Sequence, residues 1–246
     1  MKVTLDDLRS MERLHVNAWP AFETARVDGW LWRYSGGGSQ RANSVSTLDF
    51  SGRDPAVALD KIEALYKAKG VPALVHTFDA SAPRNVADLL RARGYGQGET
   101  TLTMVKPVEA AGRPSNVEIL QAPTAEWREV YLGVITEDRR AVNARILETI
   151  PRPCAFFACR AGGHIVSTGL GVADGEFAVV ECMTTRREVR RQGAANAVLR
   201  GLECWAKDHG VRVLGLQVVV TNSPAVGLYR DLGFSPVATN QFWVRG

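Results

Sequence analysis

The sequence predicts an α/β (α+β) chain with a mixed, mostly antiparallel, twisted sheet flanked by helices and built as two tandem copies of one unit. Three observations lead there. Runs of helical and strand periodicity interleave along the chain rather than segregating. Three successive apolar strands in the second half are separated only by Gly162-Gly163 and Asp174-Gly175, which suits tight antiparallel hairpins. Finally, "LECWAKDHGVRVLGLQVVVTNSPAVGLYRDLGF" runs helix, Gly210, apolar strand, polar turn, short helix and Gly-Phe. "IEALYKAKGVPALVHTFDASAPRNVADLLRARGY" repeats that order with Gly70 and Gly94-Tyr95 and is one residue longer.

The copies are joined by "VKPVEAAGRPSNVEI", where two prolines, a glycine and small residues lie between strand-like stretches. The expected division is residues 1–107, a linker over 108–115, and residues 116–246. In the second unit, Asn116 to Leu120 reads as a strand, and "TAEWREVYLGV" and "DRRAVNARILETI" read as helices. "CAFFACRA", "HIVSTGLGV" and "FAVVECMTT" form the meander. From Ala195 onward, Val198, Leu199, Leu202 and Trp205 recur at helical spacing, and "VRVLGLQVVV" has the continuous apolar character of a buried parallel strand. A strand–helix–strand crossover follows.

Composition sets limits. At 246 residues, 46% apolar and 23% charged, the chain is that of an ordinary soluble domain. Its 30 basic against 26 acidic residues are a mild excess spread along the chain, and no clustered basic stripe with interleaved aromatics marks a nucleic-acid surface. Neither a signal peptide nor an apolar run of about 18 residues occurs, so a cytoplasmic protein with no membrane partner is expected. Four cysteines form no C-x-x-C pair; Cys154 and Cys159, on one strand, would face opposite sides about 16 Å apart, beyond disulfide reach.

The first turn of the crossover is "VRRQGAAN", Val189 to Asn196. A helix start leaves about four N–H groups unpartnered and carries roughly half a positive charge, so a loop of small residues there can cradle a phosphate. Gly193 permits a sharp turn, Ala194 and Ala195 keep bulk away, and Arg190 and Arg191 add charge. In isolation, the same loop is equally well explained as an ordinary helix start.

In context the loop resembles the signature of the GNAT superfamily, the acyl-CoA-dependent N-acyltransferases, [Q/R]-x-x-G-x-[G/A], here Arg190-x-x-Gly193-x-Ala195. About 30 residues later, "NSPAVGLYRDLGF" matches that family's N-x-x-A-x-x-L-Y-x-x-x-G-F at Asn222, Ala225, Leu228, Tyr229, Gly233 and Phe234. The resemblance implies acetyl-CoA as cosubstrate and an amine, on a small molecule or a protein, as acceptor. It implies that Met183, Thr184 and Thr185 offer main-chain groups to the pantetheine arm. Residues Arg190, Arg191, Gln192, Gly193, Ala194 and Ala195 would hold the pyrophosphate, Asn222 would bind the cofactor near the site, and the Tyr229 hydroxyl would protonate the leaving thiolate.

The attacking amine must be neutral, so a base is needed. Glu181 is the best candidate: on an alternating strand it shares a face with Met183 and Thr185, unless a bulge breaks the count. Glu137 and Asp138 offer an alternative cation site, otherwise a solvated acidic turn. The first unit lacks this equipment: "SGRDPAVAL" stands in place of the phosphate loop, and Leu90 in place of the tyrosine. "YSGGGSQRANS" reads as a flexible hairpin that, with Arg41, Asn43 and the tryptophans at 19, 30 and 32, would border a substrate cleft if those aromatics are not core. The expectation is therefore an N-acetyltransferase with a degenerate first copy, one cofactor site, no metal and room for a homodimer. A non-catalytic acyl-CoA sensor is the alternative.

Overall fold

The structure, a computed structural model, describes residues 3–109 and 112–245; residues 110 and 111, inside the expected linker, lie outside the described residues. The first half runs α1 (Leu5–Ala18), β1 (Glu23–Val27), β2 (Trp30–Tyr34), β3 (Val45–Ser46), α2 (Pro55–Ala68), β4 (Leu74–Phe78), α3 (Val86–Ala92) and β5 (Tyr95–Pro107). The second runs β6 (Val117–Leu120), α4 (Ala125–Leu132), α5 (Glu137–Leu147), β7 (Cys154–Ala161), β8 (His164–Asp174), β9 (Phe177–Thr185), α6 (Ala194–Asp208), β10 (Val213–Val219), α7 (Ser223–Asp231) and β11 (Ser235–Arg245). Each copy has one parallel strand pair bridged by a helix: β3–β4 across α2, and β9–β10 across α6. The other pairings are antiparallel, including the meander β6 to β9.

All eleven strands form one sheet in the order β1-β2-β3-β4-β11-β5-β10-β9-β8-β7-β6. The last strands of the two copies have therefore changed places. β5, from the first half, pairs with β10 from Val213↔Pro107 to Val219↔Thr101. β11, from the second half, pairs with β4 and also with β5. Trp243 of β11 is accordingly buried in the first half's core with Trp30, Trp32, Tyr66 and Val75. The connection at 108–115 is a boundary in the chain, but the sheet does not divide there.

Helices cover both faces. On one, Val198, Leu202 and Trp205 of α6 pack on Ala178, Val180, Leu214 and Leu216. On the other, α1 and α4 place Met11, Leu14 and Trp127 against Phe156, Leu170 and Val179. α1 starts from a capping box, in which Thr4 and Asp7 each satisfy the other's backbone N–H. It lies close over β10 because Gly215 has no Cβ to collide with Met11. Cys154 and Cys159 enter opposite core clusters from β7 and are not joined by a disulfide.

The exchange gives a test of autonomy. A fragment of residues 112–246 lacks β5, so β10 loses its full-length partner and β11 loses both neighbours. It is expected not to fold cooperatively by itself and to do so with a separately expressed 1–109 fragment, as followed by circular dichroism and thermal unfolding. A cooperative transition in the isolated fragment at the parent's midpoint would contradict this.

Candidate active site

The site begins where β9 and β10 part. They pair only from Phe177↔Val213 to Val180↔Leu216. β9 then continues alongside β8, and β10 alongside β5. Past Val180 the β10-facing edge of β9 opens onto a cavity of about 760 Å³, lined by Met183, Thr184 and Thr185 from β9, by Arg190, Arg191, Gly193, Ala194 and Ala195, and by Asn222 and Tyr229. Gln192, expected among these residues, is exposed and does not line the cavity.

The start of α6 is left open. Its N-cap is Gly193 at φ +83, with no side chain capping the first turn and no atom within 4 Å of where a Cβ would stand. Arg191 also takes a left-handed conformation, φ +62, which costs a non-glycine residue about 1 kcal/mol. Consecutive amides in such a turn, together with exposed Arg190 and Arg191, form a concave donor surface suited to an anion. The residues fit a pyrophosphate. Asn222 lines the cavity while its carbonyl caps α7 through the Ala225 N–H. Tyr229, 8% exposed, packs edge-on against Phe234 at 5.9 Å. Burial, with the Glu181 carboxylate adding to it, pushes its phenol up to about 12, so it is protonated at neutral pH.

Glu181 does not share a face with Met183. A bulge intervenes: Cys182 has φ +54, and the register slips between Thr168↔Thr184 and Leu170↔Glu181. Met183 packs toward the α6 cluster, whereas Glu181 turns to the α1 face and lines a second cavity of about 220 Å³ with Trp19, Ser39, Gln40, Arg41, Tyr131 and Gln217 among its walls. There Arg41 donates to both of its oxygens, at 2.7 and 2.6 Å, and His15 Nδ1 lies 3.3 Å away. Burial works to raise the Glu181 carboxyl, but Arg41 and then His15 outweigh it and hold it down at about 2. As it stands, the carboxylate is too weak a base for an ammonium.

The "SGGGSQRAN" loop joins the antiparallel strands β2 and β3, as the hairpin reading expects, and is ordered around one amide. Asn43 accepts from the Ser35 and Gly37 N–H groups and donates to the Gly37 and Ser39 carbonyls, and Arg41–Asn43 closes as a single 3-10 turn. Trp19 is buried at the pocket wall with Nε1 donating to Ser39 Oγ; Trp30 and Trp32 are core. Glu137 and Asp138 sit in the exposed first turn of α5, where the next residue, Arg139, lines the pocket instead. Beneath the pocket, α1 buries Glu12 against Thr103 and Gln217, and burial raises its carboxyl above the usual range.

The equivalent crevice in the first half is closed. Beyond the β3–β4 pair, Thr47 N–H and Oγ1 both donate to the His76 carbonyl, the Ala82 N–H donates to the Thr47 carbonyl, and Trp30 Nε1 donates to the Ala82 carbonyl. The start of α2 already holds a carboxylate: Asp54 accepts from the Ala56 N–H, and Pro55 has no N–H to offer.

Comparison with known proteins accords with this architecture. A family profile described as "Probable histone acetyltransferase Rv0428c C-terminal" matches residues 5–242. The "Uncharacterized N-acetyltransferase YobR" of Bacillus subtilis (strain 168) is 29% identical over 98% of this chain and all of its own length. A "GCN5-related N-acetyltransferase from Kribbella flavida" superposes with a TM-score of 0.72 at 16% identity, over 99% of this chain and 96% of that one. A "Tandem GNAT protein from the clavulanic acid biosynthesis pathway (without AcCoA)" gives 0.65 at 13% identity, over 88% and 77%.

The buried Arg41–Glu181 pair makes a stability prediction. Arg41→Ala leaves an uncompensated buried carboxylate and is expected to destabilise by about 3–5 kcal/mol, while adding Glu181→Gln recovers much of that loss. Because Glu181 titrates below its usual 4.5, the pair's contribution is full above about pH 5 and is lost as pH falls from 4.5 toward 2. Urea unfolding of the four cycle members from pH 3 to 7 measures both, and additive single effects at pH 7 would contradict the coupling.

Proposed function

The chain belongs to the Rv0428c C-terminal acetyltransferase family and, with it, to the GNAT superfamily; from that premise we propose that it moves an acetyl group from acetyl-CoA to a primary amine by direct attack within a ternary complex. The observation that carries the reading is the parting of β9 and β10 beneath the uncapped start of α6, with Tyr229 in the same cavity. Bound there, acetyl-CoA supplies an activated thioester and a thiol leaving group of pKa about 8.5.

This chain's residues have separable tasks. The amides from Arg191 to Ala195, with Arg190 and Arg191, hold the pyrophosphate. The open edge at Met183 to Thr185 offers main-chain groups to an extended arm, as one more strand would. Tyr229 donates its hydroxyl to the leaving sulfur; with the phenol at about 12, full transfer is uphill and the hydrogen bond itself supplies most of the help. The acceptor enters from the opposite face, between the first half's Ser39–Arg41 and β9. Direct attack is favoured over a covalent enzyme intermediate, because burial pushes the Cys182 thiol, the one cysteine near the site, far above the range of a reactive thiolate.

A screen of amines with acetyl-CoA, following free thiol, tests the reading. Tyr229→Phe is expected to lower turnover by about 10²-fold or more while leaving CoA affinity within about threefold, and Gly193→Asp to abolish CoA binding in calorimetry. Tight CoA binding with no amine-dependent thiol release from the parent would favour a sensor. Unaltered CoA binding by Gly193→Asp would move the pyrophosphate elsewhere.

A further inference from the structure

The acceptor pocket holds charges and polar groups that the protein itself does not satisfy. Arg139 donates Nε–H to the Gly38 carbonyl at 2.9 Å, yet among the described residues its guanidinium has no carboxylate partner. Thr101, 8% exposed, has a buried hydroxyl with no hydrogen-bond partner. Glu99, exposed at the same pocket, is in no ion pair among the described residues. Arg41 is the pocket's other cation, and both of its terminal nitrogens are spent on Glu181. A pocket of about 220 Å³ is smaller than the roughly 300–1,000 Å³ typical of drug-sized ligands, so it suits a compact molecule.

Resting on the transferase reading above, we infer that the acceptor is a small amine carrying its own carboxylate, and that this carboxylate, taken by Arg139 and Arg41, draws Arg41 off Glu181 and leaves Glu181 to receive the ammonium proton. The amine and the carboxylate then answer the two unmet charges, Glu99 and Arg139, and the Thr101 hydroxyl gains a partner. The same move repairs the missing base. Glu181 is faced by Arg41, by His15 of α1, by Tyr131 of α4, by Tyr229 of α7 and by its neighbour Cys182. Among these, Arg41 is the main group opposing burial, so sharing its charge with a second anion lets burial raise the carboxyl. The base is thus made competent by the acceptor that needs it.

The step balances. One ammonium proton passes to a Glu181 oxygen, and the freed nitrogen lone pair forms the C–N bond to the acyl carbon as the C–S bond breaks. The second N–H proton ends on the sulfur by way of the Tyr229 hydroxyl, which gives its own proton and regains one. A lysine side chain on a polypeptide brings the cation without the anion and leaves Arg41 on Glu181.

The test pairs α-amino acids with their amides, their decarboxylated amines and a lysine-containing peptide, at equal acetyl-CoA, following thiol release. Acids are expected to exceed the other three by about 10²-fold in kcat/KM, the scale of lost charge-assisted contacts. Arg139→Gln should lower kcat/KM for the acids at least tenfold and lower the acid-to-amide ratio with it, while Arg139→Lys should keep most of the preference. Equal use of amides, decarboxylated amines or the peptide would overturn the inference and leave the transferase reading intact. Calorimetry of amino acids against CoA-saturated protein separates the remaining case. Binding lost in Arg139→Gln, with no turnover of any amine, would support the carboxylate subsite while removing the transferase reading. No binding and no turnover would overturn both.

Discussion

β10 keeps hydrogen bonds along its whole length to β5, from Val213↔Pro107 to Val219↔Thr101, while its pairing with β9 stops after Leu216. A central strand that left its neighbour would otherwise expose a row of unpaired amides and carbonyls on both edges. Here one edge is secured by a strand from the other half of the chain, and only the edge facing β9 is open. The cavity at the parted strands is therefore a product of the strand exchange as much as of the local sequence. The bulge at Cys182 completes it, sending Met183 toward α6 and Glu181 toward α1.

The two copies show how one architecture opens or closes a cleft through a few backbone bonds. In the second, the parted strands leave space, Gly193 leaves the helix start bare, and two arginines border it. In the first, Thr47, His76 and Ala82 stay bonded where the other copy opens, Trp30 and Phe50 pack together at 5.1 Å, and Asp54 occupies the helix start with negative charge. What the first half contributes instead is a wall. Its loop projects Ser39, Gln40 and Arg41 into the cavity that holds Glu181, and its α1 supplies His15, so that cavity is assembled at the seam.

Much of this was legible in the sequence. The meander, the crossover helix and the small basic turn at its start are written locally, in apolar periodicity and in the choice of Gly193, Ala194 and Ala195. The repeat correctly signalled two copies of one unit. The fate of Glu181 was not readable: alternation assigns it the same face as Met183, and a single non-glycine residue at positive φ reverses that without any compositional mark. Nor does any local pattern say that β5 pairs with β10, since β5 and β11 both continue from a short helix into a strand and either neighbour satisfies the alternation. The Arg41–Glu181 pair spans 140 positions, and only the fold brings it together. Nor does any local pattern place α1 beneath the parted strands.

Calorimetric titration of CoA into the intact chain tests the central claim, that the second copy alone keeps a cleft opened by strand parting. The account predicts saturation at one equivalent per chain, with no weaker second phase, and an unchanged stoichiometry when Asp54 is replaced by asparagine, because the first copy's crevice is sealed by backbone bonds as well as by charge. Two equivalents per chain, or no binding at all, would contradict it.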